Sequence, residues 1–106
     1  MSYAVESSTL YKGLGSMRLP ESLTIMDVAD WYPQFVAAAS EPSTALTLDA
    51  SALTRLDSAG VQLLLALAKS LSLQGEHIQW SEVSDTLLSV TRSLGAIEPL
   101  NLSQYC

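Results

Sequence analysis

The chain has 106 residues, 48% hydrophobic and 15% charged, a composition that fits one compact domain around a single core and excludes a disordered chain. The formal net charge is −6, and Lys12, Arg18, Arg55, Lys69 and Arg92 are scattered, which argues against a nucleic-acid surface, where clustered Lys and Arg are needed. No apolar run reaches the roughly 18 residues of a bilayer span, and MSYAVESSTLYKG lacks the basic-then-apolar order of a secretory leader, so the expectation is a soluble, cytoplasmic protein with no direct membrane insertion.

In chain order, SYAVESS and TLYKGLGSMRLP read as two short strands joined by a turn, with Gly13 and Gly15 weakening the second or marking a bulge. The stretch SLTIMDVADWYPQFVAAAS then places Ile25, Val28, Ala29, Tyr32, Phe35, Val36 and Ala39 at helical spacing. Thr24 and Asp27, three apart, form a cap for its first turn, and Pro33 implies a kink or a late helix start. EPST is a loop. ALTLDAS reads as a strand with a buried, central character, and VQLLLALAKSLSLQG as a helix ended by Gly75. HIQW is a brief strand. SEVSDTLLSVTRSLG brings Val83, Leu87, Leu88, Thr91 and Leu94 onto one helical face before Gly95, and AIEPLNL reads as a last edge strand that tolerates Pro99. Strands connected through helices imply parallel pairing, and the opening hairpin adds antiparallel pairing. The expected fold class is α/β: a small mixed β-sheet with helices packed mainly on one face.

The break between strand and helix at DSAG, residues 57–60, holds the residues of interest. On composition and spacing alone, Asp57 and Ser58 are both good N-caps, and Gly60 permits close approach of the helix start to neighbouring backbone. Asp49 and Asp57 could bind a metal or act as an acid and base pair, but no further acidic spacing supports a site, and a structural or partner-contact role is the simpler reading. An enzyme is not expected: Ser58 lies outside any GxSxG turn, and His77 stands alone in a short strand. There is no glycine-rich phosphate loop and no metal-ligand cluster. Cys106, the single cysteine, permits no internal disulfide. Trp31 and Trp80 suit core or half-buried positions better than partner anchors.

The strand LTLDAS, the spacer ALTRL, then DSAG and a leucine-rich helix resemble the central signature of STAS domains, the fold of anti-sigma factor antagonists and of the cytoplasmic tails of sulfate transporters. The resemblance runs from LPESLTIMDVADW to SLGAIEPLNL, most but not all of the chain, and residues 1–106 are expected to form a single STAS domain of bacterial type. It implies that Ser58, directly after the motif's aspartate, is the residue modified by a serine kinase that doubles as the binding partner. A phosphate at a helix N-terminus meets free amides and the positive end of the macrodipole, and it adds close to two charges beside Asp57.

Two departures steer the resemblance: Ala59 stands where many sporulation-type antagonists carry a second hydroxyl, and LPESLTI replaces their early turn. Both resemble instead the small STAS proteins of chemotaxis operons and the STAS subunit of a phospholipid-moving ABC transporter. The favoured expectation is a non-enzymatic signalling phosphoprotein, monomer or weak dimer, with no cofactor. Its face, Asp57, Ser58, Ala59, Gly60 and Gln62, binds a serine kinase, anti-sigma-like or chemotaxis partner. The alternative is an accessory subunit docked constitutively on the transporter's ATPase.

Overall fold

The computed structural model describes residues 16–40 and 46–105. Its elements are β1 (Ser16–Arg18), β2 (Ser22–Leu23), α1 (Val28–Ala39), β3 (Leu46–Asp49), β4 (Arg55–Leu56), α2 (Ser58–Ser72), β5 (Ile78–Glu82), α3 (Asp85–Ser93) and a 3-10 turn, Ser103–Tyr105. Strands β1, β3 and β5 form one sheet with β3 in the middle, and β2 pairs with β4; every one of these pairings is parallel. The first strand of the expected hairpin and the loop EPST lie outside the described residues, as does Cys106; of the hairpin's second strand, Ser16–Arg18 is described and pairs parallel to β3.

The sheet's two faces differ because strand side chains alternate. Met17, Leu46, Leu48, Ile78 and Trp80 are buried on one face, whereas the neighbouring Ser16, Thr47 and Gln79 are partly or fully exposed. Leu23, Phe35, Leu53, Val61, Leu64, Leu71 and Leu87 join the buried face in one core, so the helices cover that side. The central position expected of ALTLDAS is therefore realised by β3.

Helix α1 begins later than its apolar spacing suggested. The Thr24–Asp27 pair does not cap the helix as expected: Asp27 is the N-cap residue but makes no side-chain hydrogen bond to α1, and its Oδ2 instead accepts the Thr24 amide (2.9 Å), the Thr24 hydroxyl (3.0 Å) and the Ser22 hydroxyl (2.8 Å). These bonds close the turn at residues 24–27, ahead of the helix, and Pro33 falls inside α1. Consequently Ile25 sits in a turn. The buried stripe of α1 is Phe35, Ala38 and Ala39, with Val28 and Trp31 half-buried; Tyr32 and Val36, expected in the core, face outward. Trp31 meets Phe35 edge to face, with centroids 6.0 Å apart.

Both later helices end as the sequence indicated. Gly75 (φ 79°) and Gly95 (φ 70°) occupy the left-handed region, and the amides of Glu76 and Ala96 donate back to the Leu71 and Thr91 carbonyls. Ser84 caps α3 through the Leu87 amide at 3.1 Å. On α3, Leu87 and Thr91 are buried, but Leu94, expected on the same face, is about half exposed at the helix end.

The tail AIEPLNL is not a strand. Its backbone curls, with Leu100 N–H donating to the Ala96 carbonyl, Leu102 N–H to Ile97, and Asn101 in a left-handed conformation (φ 61°). Side chains then attach it to β5: Asn101 Nδ2 donates to the Ile78 carbonyl (2.8 Å), Tyr105 to the Trp80 carbonyl (2.8 Å), and Trp80 Nε1 to the Leu100 carbonyl (2.8 Å). The buried Leu100 and Leu102 anchor these turns, an arrangement that covers an edge without extending the sheet.

Candidate functional site

The DSAG segment is a junction whose geometry is fixed by Asp57. This residue is the N-cap of α2: its Oδ1 accepts the Gly60 amide at 3.0 Å, and its Oδ2 accepts the Ile25 amide, 32 residues earlier, also at 3.0 Å. One carboxylate thus ties the loop before α1 to the start of α2. The Ile25 and Gly60 amides, in that order, hold the Asp57 pKa below its ordinary 3.8. An anion held by two amides is a positioning group, not a proton donor at neutral pH.

Gly60 tightens the same junction. It is buried in the first turn of α2, and a Cβ there would overlap the Leu23 carbonyl oxygen and lie 2.8 Å from Leu56 Cδ1. The close approach read from the sequence is therefore to β2, a strand of two residues that pairs with β4. Neither β2 nor β4 has enough length to show alternation, so neither was legible beforehand.

Ser58 is the first residue of α2 and is exposed. The cap role open to it in the sequence belongs to Asp57, and its hydroxyl makes no hydrogen bond to another described residue. Ala59 is half-buried and Gln62 exposed one turn on. All five residues singled out from the sequence thus fall in the first turns of α2 or its cap. Asp49 lies apart at the end of β3, where its Oδ1 accepts the Ser51 amide (2.9 Å), which also lowers its pKa. Asp49 and Asp57 are each committed to backbone amides. Among the described residues no group of three or more His, Cys, Asp or Glu could hold a metal ion, and no helix is long and apolar enough to cross a membrane.

Sequence reasoning missed what lies beside Ser58. Ile25 and Met26, in the turn tied to Asp57, are 64% and 84% exposed. Beyond them runs an apolar groove of about 440 Å³ between α1 and α2, walled by Val28, Ala29 and Tyr32 on one side and Ala59, Leu63 and Ala66 on the other. It continues past Val36 and Ser70 to Leu73. The available signal was an apolar pair, Ile25–Met26, inside a polar turn.

The architecture and the sequence agree with one family: a sequence model of that family, described as "Mlab, STAS domain", matches residues 14–100. The chain belongs to the STAS domain family. Its α/β fold is the STAS fold, with three described helices over small parallel sheets. STAS domains are generally non-enzymatic regulatory modules, of which anti-sigma factor antagonists are an example, and they act through protein–protein interactions. Comparison with curated proteins returned no match.

Proposed function

We propose that this STAS domain is a non-enzymatic, cytoplasmic signalling module that needs no cofactor, and that phosphorylation of Ser58 releases it from its protein partner. The partner is a serine kinase or anti-sigma-like protein, or a chemotaxis component, and the docking face comprises Asp57, Ser58, Ala59, Gly60 and Gln62. The supporting observation is the exposed hydroxyl of Ser58 at the first position of α2, beside a carboxylate already committed to two amides.

Bulk and charge act differently at such a position. Two charges 4 Å apart in water interact by about 1 kcal/mol, and salt screens this further. A phosphate that holds a partner off the start of α2 also takes away the apolar contact around it, worth about 25 cal/mol for each Å² lost. Release therefore rests on steric exclusion, to which the phosphate's charge adds against an acidic partner surface and which it opposes against a basic one, and it requires no refolding.

A second reading is favoured by the exposure of Ile25 and Met26, since permanent interfaces are more apolar than transient ones. In it the same face docks constitutively on the ATPase of a phospholipid-trafficking ABC transporter, and Ser58 makes a packing contact. Affinity capture from the native cells with wild type, Ser58→Glu and Ser58→Ala separates the two. The switch expects a signalling protein lost only with Ser58→Glu. Capture of an ATPase that Ser58→Ala weakens supports the accessory subunit, and identical captures by all three proteins refute both.

A further inference from the structure

The groove between α1 and α2 differs from the rest of the surface in shape and in its electrostatic setting. Parallel strands with returning helices put the N-termini of α1, α2 and α3 at one end of the molecule, together with the ends of β1, β3 and β5. Among the described residues that end carries Glu21, Asp27, Asp30, Asp49, Asp57, Glu82 and Asp85, against Arg18 and Arg55 alone, and Asp57 stands at the groove's mouth beside Ala59. At the opposite end Glu76 and Glu98 are balanced by Lys69 and Arg92. The whole charge excess of the described residues, five negative charges, thus lies at the end that bears Ser58. Three helix N-termini contribute roughly half a positive charge each and leave that end negative.

Among the described residues the groove has no charged wall. Tyr32 and Val36 of α1 stand exposed over it, facing Ala59 and Ala66 of α2, and small residues on α2 leave room for a third helix. Its walls are helices of 12 and 15 residues, so it offers about 18 Å of length, or some three helical turns. At the far end Gln74 Nε2 donates to the Ala39 carbonyl (2.6 Å) and ties the two walls together.

We infer that the occupant of this groove is an amphipathic helix of the partner protein, with an apolar stripe against Tyr32, Val36 and Ala66 and with Arg or Lys in the turn that reaches the start of α2. The inference rests on the docking reading above and names the partner's chemistry. Apolar burial supplies affinity; the cations supply orientation, because only one direction of the helix brings them to the acidic end. A second copy of this chain is the weaker occupant, since its described surface carries the same negative excess.

The test uses a synthetic 16-residue amphipathic helix with a leucine stripe and three arginines in its terminal turn, and the same peptide with glutamates in their place. Binding is followed by titration and by amide shift mapping on the full chain. The arginine peptide should bind at least tenfold more tightly at low salt, with the difference shrinking in 1 M salt. Its shifts should centre on Tyr32, Ala59, Gln62 and Ala66, and the surface change Ala66→Glu should weaken it tenfold or more while the circular dichroism spectrum stays unchanged. Equal binding of both peptides, shifts elsewhere, binding of neither, or a wild-type dimer abolished by Ala66→Glu overturns the inference. The switch is judged separately: a native partner lost with Ser58→Glu but indifferent to Ala66→Glu sinks the groove assignment alone. A groove that behaves as expected while Ser58→Glu leaves partner capture intact sinks the switch alone.

Discussion

Gly60→Ala perturbs the junction that positions Ser58, and its effect follows from the geometry. The added Cβ overlaps the Leu23 carbonyl oxygen and crowds Leu56. The Leu23 oxygen is backbone in a paired strand, so it has no rotamer by which to withdraw. Overpacking of this kind costs about 3 kcal/mol. Alanine recovers about 1 kcal/mol because glycine is a poor helix former. The net loss of about 2 kcal/mol lowers Tm by about 8–16 °C for a chain of this size. Thermal unfolding followed by circular dichroism measures it, with Gly75→Ala as comparison. Gly75 has a positive φ but nothing within 4 Å of its Cβ position, so its change carries backbone strain only, about 1 kcal/mol. A Gly60→Ala protein as stable as wild type, or less affected than Gly75→Ala, refutes the close approach of α2 to β2.

Trp80→Phe removes the indole donor to the Leu100 carbonyl and should cost about 1–3 kcal/mol for the unpaired buried oxygen; a lower urea midpoint with an unchanged m-value is the expected signature. Asp27, Asp49 and Asp57 all have pKa values lowered by hydrogen bonds, from backbone amides first. Lowered carboxyl pKa values stabilise the fold above the ordinary 3.8 and lose that effect as pH falls through the folded values. The urea midpoint should therefore be flat from pH 7 to about 5 and fall below about 4. Asp57→Ala should speed amide exchange at Ile25 and Gly60, the two amides it holds, whereas unchanged exchange at Ile25 removes the link between the α1 loop and α2.

Much of this architecture was legible in the sequence where one signal sufficed. The β3 run between polar residues, the long apolar α2, and Gly75 and Gly95 beyond their helices each have a local cause, and the structure realises them. Ser58 and Asp57 could be placed at a helix start, but which one caps it could not, because both are good N-cap residues; the Asp57–Gly60 bond decides it. The misses have tertiary causes. The side of α1 that faces outward depends on how far α2 covers it, so Tyr32 and Val36 follow the helical period without being buried. The tail's apolar Leu100 and Leu102 satisfy a strand pattern equally well, yet Asn101, Tyr105 and Trp80 attach it to β5 through side chains. The Asp57–Ile25 bond spans 32 residues and left no local trace.

The switch at Ser58 is tested most directly with homogeneous protein carrying phosphoserine at position 58, titrated beside the unmodified protein against the partner captured from native cells. Steric exclusion at the start of α2 predicts an affinity lower by at least about tenfold, or about 1.4 kcal/mol, with the folded spectrum retained. Equal affinities for the two forms would contradict the proposal and leave Ser58 as a surface residue at the first position of α2.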